Sequence, residues 1–475
     1  MLSKYKKLWP LLNAKEKKYF FLVILLCFFS SCLDLIGVIS ILPFLTVLTQ
    51  PDIVKENIIL NILYENLNLS INEFIIFLGF LSFLVLVINQ IFRFGSRMAS
   101  TWYGNKMIFD KSLNLFSFYM KRPYKFHLSN SNVNLIQKCT TYVDGVISGF
   151  ALPFLSIFTQ VLTIILISSF MLFYQPKITI ALILTVTLTY FLFFKIVRGK
   201  VNEIGKNSPK YYSDASIALS DAFYSIKQIK LLQNTRFFID KFFIPAKKYK
   251  NSLISYNFFS YLPVFIIEIF GFGILMLIAT YLFFQNQNFQ SLIPIIGVIV
   301  LSMKRLIPAG QDIYQQVLQI NFHYATFDKI IKDLLEATKI DKKKENKRVN
   351  FDQLLFKKNI KFKNLKFKYD KSLKTILDVN LQIKKGQFVG LCGKSGHGKT
   401  TFLDIFTGLL EPNYGKVLID GKELEKKFIS GWQHNIGYIP QNAYILNDTI
   451  NKNISFGKDQ ITIDKEKIKK VCKIA

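Results

Sequence analysis

Cysteine and histidine are scarce in this chain: five cysteines and four histidines are spread over 475 residues. Cys27 and Cys32 fall in one apolar run, Cys139 in a basic stretch, Cys392 beside a glycine-rich segment and Cys472 near the last residue. No pair has the spacing of a metal site or a disulfide frame, so packing is the expected role of these thiols. Acidic residues are also few. Thirty-one Asp and Glu stand against 61 Lys and Arg, a net charge of +30. A basic chain invites a nucleic-acid reading, but the cations here form no single basic and aromatic face. They gather in particular segments between apolar runs, so nucleic acid is not an expected partner.

Apolar sequence is what the chain has in quantity. Hydrophobic residues make up 51% and the mean hydropathy is +0.29, although 19% of residues are charged. The two figures coexist because the apolar residues are concentrated in six stretches, at about 19–48, 73–92, 146–174, 177–197, 253–284 and 289–310. Runs of this length match the hydrocarbon thickness of a bilayer, which makes the lipid bilayer an expected partner. Gln175-Pro176-Lys177 separates the third from the fourth, and the uncharged Gln285-Asn286-Gln287-Asn288 separates the fifth from the sixth. Met1 to Lys18 carries six lysines and Glu16, like a signal-peptide leader. The apolar run behind it is too long for a signal peptide and has no small-residue cleavage pattern, so a retained first span is expected.

Loop charge sets an orientation. Segment 50–73 has Lys55 against Asp52, Glu56, Glu65 and Glu73, whereas segment 93–145 has eight Lys and Arg against Asp110 and Asp144. Segment 195–252 has twelve against four acids. The bias of inner loops toward Lys and Arg therefore puts the long basic segments and both termini in the cytoplasm. Those segments are patterned rather than disordered: Ile217, Phe223, Ile226, Ile229 and Leu231 recur among polar residues of Ala215–Leu232. Spans that continue past the bilayer as helices and turn through short cross-helices are expected, in preference to separate amphipathic helices on the membrane surface.

Residues 341–475 read as a separate, lysine-rich domain. Within it Gly393, Lys394, Ser395, Gly396, His397, Gly398, Lys399 and Thr400 fit the pattern G-x-x-x-x-G-K-[ST], with Thr401 following. Glycines let backbone N–H groups turn toward phosphate oxygens, Lys399 supplies a point charge, and the Thr400 hydroxyl is a ligand for Mg²⁺. Gln387–Cys392 reads as a short buried strand before the loop, and Thr401–Phe406 opens a helix after it. Val417-Leu418-Ile419-Asp420 resembles a strand ending in a catalytic acid, but it lies too close to the loop and lacks a following Glu. We reject it as the catalytic carboxylate.

Tyr369 sits where ATP-binding cassette domains carry an aromatic residue that stacks on adenine. Ile439-Pro440-Gln441, after the strand-like Ile436-Gly437-Tyr438, resembles that family's Q-loop, and Asn447–Ile450 with Asn453–Gly457 resembles the run behind it. Six spans, a basic linker and this cassette, in that order, resemble a bacterial exporter-type half-transporter of the ATP-binding cassette family. The implied fold is a multi-domain membrane protein: a six-helix α-helical transmembrane domain followed by a partial α/β P-loop nucleotide-binding domain. The implied boundaries are 1–338 for the transmembrane domain, 339–350 for a linker and 351–475 for the cassette. The resemblance implies ATP and Mg²⁺ as cofactors, with Gln441 beside Thr400 at the metal. It also implies a second half-transporter subunit, in a homo- or heterodimer, in the bacterial inner membrane.

The family's Leu-Ser-Gly-Gly-Gln signature, its Walker B Asp-Glu pair and its switch histidine are not found before Ala475. The resemblance therefore implies a C-terminally truncated cassette without its catalytic base, which would hydrolyse little ATP. The alternatives are an incompletely read chain, a frameshifted or decayed gene, or a short protein paired with a separate remainder. The matching alternative functions are a non-catalytic ATP-binding membrane protein and an inactive remnant. Charges inside the spans bear on cargo. Asp34, Glu268, Lys304 and Arg305 are costly in hydrocarbon, so each is either a buried or snorkelled charge or part of a polar cavity for an amphipathic substrate. Lys304-Arg305-Leu306-Ile307-Pro308 and the Glu268 region resemble flippases for lipid-linked oligosaccharides, with peptide, lipid or drug export as competing readings.

Overall fold

The computed structural model describes residues 6–284, 289–344, 356–369, 377–441, 443–457 and 464–474. The tract Gln285–Asn288 lies outside them, as do 345–350 of the expected linker. The chain divides into two compact units: residues 1–122 with 126–347, and residues 123–125 with 348–475.

The first unit is helical, and among the described residues six helices are long and apolar enough to cross a membrane. Local chemistry starts three of them where they start. A capping box opens the first at Ala14: the Asn13 N–H donates to the Glu16 carboxylate at 2.6 Å. A second box, Ser70 with Glu73, opens Ile71–Met120. Pro176 opens Pro176–Tyr224 at a position where its missing N–H costs nothing. The expected helical continuations are present. Ile71–Met120, Pro176–Tyr224 and Thr235–Phe284 each run about fifty residues, and short helices Tyr124–Ser129 and Ile226–Leu232 make the turns between long ones.

Two details differ from the sequence reading. The first apolar run is broken at Ser40 into Ala14–Ile39 and Ile41–Thr49. Pro43 explains the break, since its ring crowds the carbonyl four residues back, at Ile39, and it has no N–H to donate. The third span begins in two π-helical turns, Lys138–Tyr142 and Ile147–Ala151, before the regular helix Leu152–Tyr174. Leu11, Val143, Ile147, Phe150, Phe327, Ile330 and Leu334 are buried together in the main apolar cluster. Where Pro176–Tyr224 meets the helix Phe289–Phe322, Gly205 permits backbone contact: a Cβ there would lie 2.3 Å from the Phe322 carbonyl oxygen. The next helix, Tyr324–Lys344, continues into the stretch read as linker.

The second unit holds one antiparallel sheet in the order β2-β1-β3-β4, with β1 Asn359–Phe367, β2 Leu377–Lys384, β3 Tyr414–Ile419 and β4 Lys422–Glu423. Asp420 and Gly421, both with positive φ, form a two-residue hairpin turn between β3 and β4. The Asp420 carboxylate accepts backbone N–H bonds from Lys357, Lys358 and Asn359 at 2.5–2.7 Å. Partial desolvation works to raise its pKa, but these donors outweigh it and hold the carboxyl below its ordinary value. Asp420 thus closes a turn, in keeping with its rejection as a catalytic acid. The helix Lys399–Phe406 packs Phe402 and Ile405 on β1 and β3, with the Phe402 ring 4.8 Å from Phe362. Trp432 is buried against the same core and donates its indole N–H to the Phe406 carbonyl at 2.8 Å.

The strand expected at Gln387–Cys392 is not formed, and neither is the one at Ile436–Tyr438. Phe388, Val389, Leu391 and Tyr438 are exposed. A strand acquires its hydrogen bonds only from a neighbouring strand, and among the described residues none pairs with either segment.

Candidate functional site

The phosphate loop is built by two left-handed glycines, Gly396 at φ +81° and Gly398 at φ +86°, the second being the N-cap of Lys399–Phe406. A side chain at either position would be strained. The Lys399 ammonium curls back over the loop and donates to the carbonyls of Gly393 at 2.5 Å and Lys394 at 2.9 Å. The His397 ring lies 3.4 Å from the Ser395 carbonyl. Thr400 is exposed on the first helical turn, while Thr401 is buried and its hydroxyl lies 3.2 Å from the hydroxyl of Tyr369. That contact ties Tyr369, which stands edge-on to Phe367 at 4.9 Å, to the helix behind the loop. Gln441 is exposed in a bend and makes no hydrogen bond to the loop among the described residues. The structure therefore joins Tyr369 to the loop and leaves Gln441 apart.

A second candidate site lies within the helical unit. Asp34 on Ala14–Ile39 lies 3.4 Å from Arg305 on Phe289–Phe322, with both side chains nearly buried. Asp34 also lines a polar cavity of about 320 Å³, together with Arg93, Arg97, Ser30, Gln160 and Asp312. Arg93 reaches a smaller cavity of about 240 Å³ that Lys304, Arg305 and Gln90 line as well. The two cavities share Arg93, so the cations of two helices, Ile71–Met120 and Phe289–Phe322, line neighbouring space. Glu268 joins neither cavity: it is exposed on Thr235–Phe284. A separate cavity of about 460 Å³ has no charged lining residue; Tyr190, Phe270, Ile307 and Tyr314 are among its walls.

Three residues of the polar cavity escaped sequence reasoning. Arg93 and Arg97 were counted as loop charge and Asp312 fell just past the sixth apolar run. The helices continue beyond the hydropathy windows, so these charges sit on helix faces. Their spacing was the available signal: Arg93 and Arg97 are four apart, as are Asp312 and Gln316, and Ser156 and Gln160.

Two comparisons bear on identity. The family described as "ABC transporter transmembrane region" matches residues 18–307, more than half of the chain. The chain belongs to the ABC transporter family. The "ABC transporter" nucleotide-binding model matches residues 376–473, which contain the loop. Among curated relatives of this ABC transporter chain, an ATP-dependent lipid A-core flippase of Alcanivorax borkumensis is 22% identical over 81% of the chain and 65% of its own length. One of the same name from Wigglesworthia glossinidia brevipalpis is 24% identical over 76% of the chain and 61% of its own length. A Bacillus subtilis ATP-binding/permease protein named for multidrug export is 22% identical over 76% and 62%. The chain thus spans less than two thirds of the length of these relatives.

The residues at the loop fit the nucleotide that the family implies. Positive-φ glycines, a lysine held against the loop carbonyls and a helix N-terminus together make an anion cradle, and the exposed Thr400 hydroxyl stands at its edge.

Proposed function

We propose that this chain is a half-transporter subunit that couples ATP to the export or flipping of an amphipathic substrate across the bacterial inner membrane. The observation that carries the reading is the polar cavity between helices that cross the membrane. Ionisable side chains inside spans are costly and face functional cavities, and here two arginines and two carboxylates line one pocket. The uncharged cavity beside Tyr190 and Phe270 supplies room for a tail. We favour a lipid-linked oligosaccharide with a phosphate or diphosphate in its head group; Arg305 and Lys304 serve that head, Asp34 holds Arg305 in place, and Glu268 lies outside it. The relatives named as lipid A-core flippases support a lipid cargo.

At the cassette, Gly393–Thr401 would hold the phosphates, Lys399 would neutralise their charge, Thr400 would ligate Mg²⁺ with Gln441 brought to it, and Tyr369 would stack on adenine. ATP, when bound, supplies phosphoryl transfer, in which positioning and charge stabilisation do nearly all of the protein's part. A second subunit, identical or not, completes the composite site. The loop charges support a reading in which both termini and the cassette face the cytoplasm.

The test is equilibrium binding of a fluorescent ATP analogue with Mg²⁺ to the full chain in nanodiscs. Lys399→Ala is expected to weaken binding by about tenfold or more, since it removes a charge-assisted phosphate contact. Equal affinity of the two proteins would sink the nucleotide assignment. The relative named for multidrug export supports a second reading, an uncharged hydrophobic compound in the apolar cavity. It would prevail if such a compound binds and no phosphate-bearing amphiphile does.

A further inference from the structure

The polar cavity has two unlike poles. At one, Arg93 and Arg97 stand one helical turn apart on Ile71–Met120, and the neighbouring carboxylate, Asp34, is already answered by Arg305 at 3.4 Å. At the other is Asp312. Its carboxylate accepts hydrogen bonds from the Ser156 hydroxyl at 2.8 Å, the Gln160 amide at 2.9 Å and the Gln316 amide at 3.2 Å. All three donors are neutral. Among the described residues no Lys or Arg comes within ion-pairing distance of Asp312, although two arginines line the same cavity. A carboxylate has room for about four such bonds, so Asp312 keeps accepting capacity and an unbalanced negative charge at the cavity wall.

Two arginines without carboxylates of their own, facing one carboxylate without a cation, make a site complementary to a dipolar ligand. A purely anionic head group would satisfy the arginine pole and be repelled by Asp312. A tether between the third and sixth spans would be met by any acceptor and has no need of a full charge. We infer that the cavity selects a zwitterionic head group, with a phosphate at Arg93 and Arg97 and an ammonium, on a phosphoethanolamine or an amino sugar, at Asp312. Ser30, Ser96, Thr159 and Gln319, from four helices that line the same cavity, offer neutral donors and acceptors for hydroxyls. This deepens the proposed function and rests on its assignment of the cavity to a phosphate-bearing amphiphile.

The experiment is equilibrium binding to the full chain in maltoside micelles with three short-chain probes: phosphatidylethanolamine, its N-acetyl derivative and phosphatidic acid. The N-acetyl probe keeps the phosphate and loses the ammonium. The ammonium probe is expected to bind about tenfold more tightly than the N-acetyl probe, the scale of one desolvated charge pair. Asp312→Asn should erase that ratio and Asp312→Glu should retain it, while Arg97→Gln should weaken all three probes. Equal binding of the ammonium and N-acetyl probes to the unaltered chain would overturn the inference, with no variant required. A preference that survives Asp312→Asn would also overturn it. Phosphatidic acid binding with no amine preference removes the ammonium site alone, whereas no binding by any probe removes the phosphate-amphiphile reading beneath it.

Discussion

Glu16 and Asp34 lie on the same helix, and each meets a cation from another span. The Lys111 ammonium is 2.8 Å from both oxygens of Glu16, whose carboxylate also accepts the Asn13 N–H. The side chains of that pair are 1% and 7% exposed. Arg305, by contrast, is 3.4 Å from Asp34, and the facing oxygen of Asp34 has no hydrogen-bond donor. The first pair is complete within the protein and lines none of the cavities described above. The second is loose, and both partners line cavities. Burial alone does not tell them apart; the number of donors each carboxylate has found does. A carboxylate satisfied by its own chain holds helices together, whereas a loosely held pair at a cavity wall leaves its arginine available to a ligand.

The comparison can be broken most directly at Lys111. Lys111→Ala strands Glu16 as an unpaired buried charge and is expected to cost about 3–5 kcal/mol, seen as a large fall in thermal midpoint in micelles. Replacing both partners by methionine should recover much of that loss. Arg305→Ala is expected to cost less, about 1 kcal/mol, because the pair has little hydrogen bonding to lose and the cavity can hydrate Asp34. Its larger effect should fall on affinity for a phosphate amphiphile. If Arg305→Ala unfolds the protein as readily as Lys111→Ala, the distinction between the two pairs fails. Lys452→Ala sets the floor. Its pair with Asp448 is half-exposed and four residues apart in sequence, and removing it should leave the thermal midpoint essentially unchanged.

The spans were legible because length and hydropathy are properties of a segment by itself. The helical continuations were legible for the same reason, since the pattern in Ala215–Leu232 repeats at helical spacing. The phosphate loop was readable because glycine, lysine and threonine at fixed spacing carry local geometry. What escaped was non-local. Gln387–Cys392 has the composition of a strand, yet strand formation depends on a neighbour that its own residues do not specify. Glu16 looked like one acid in a lysine-rich leader, and nothing near it in sequence announces Lys111. Asp312 and the two arginines were hidden by the end of an apolar window, although the helices that carry them run on. Pro43 is a different case: the signal for the break at Ser40 was present and local, and the apolar run around it masked it.

The helix Ile71–Met120 contains no proline and extends 50 residues, about 75 Å at 1.5 Å per residue. Arg93 and Arg97 lie near its midpoint, and Lys111 fastens it to the first span closer to the Met120 end. A rod of that length converts angle into distance: a tilt of about 5° about one end carries the other through roughly 6–7 Å. A displacement of about 3 Å at the arginines would therefore arrive at the far end doubled, as a step of slightly more than one helical turn.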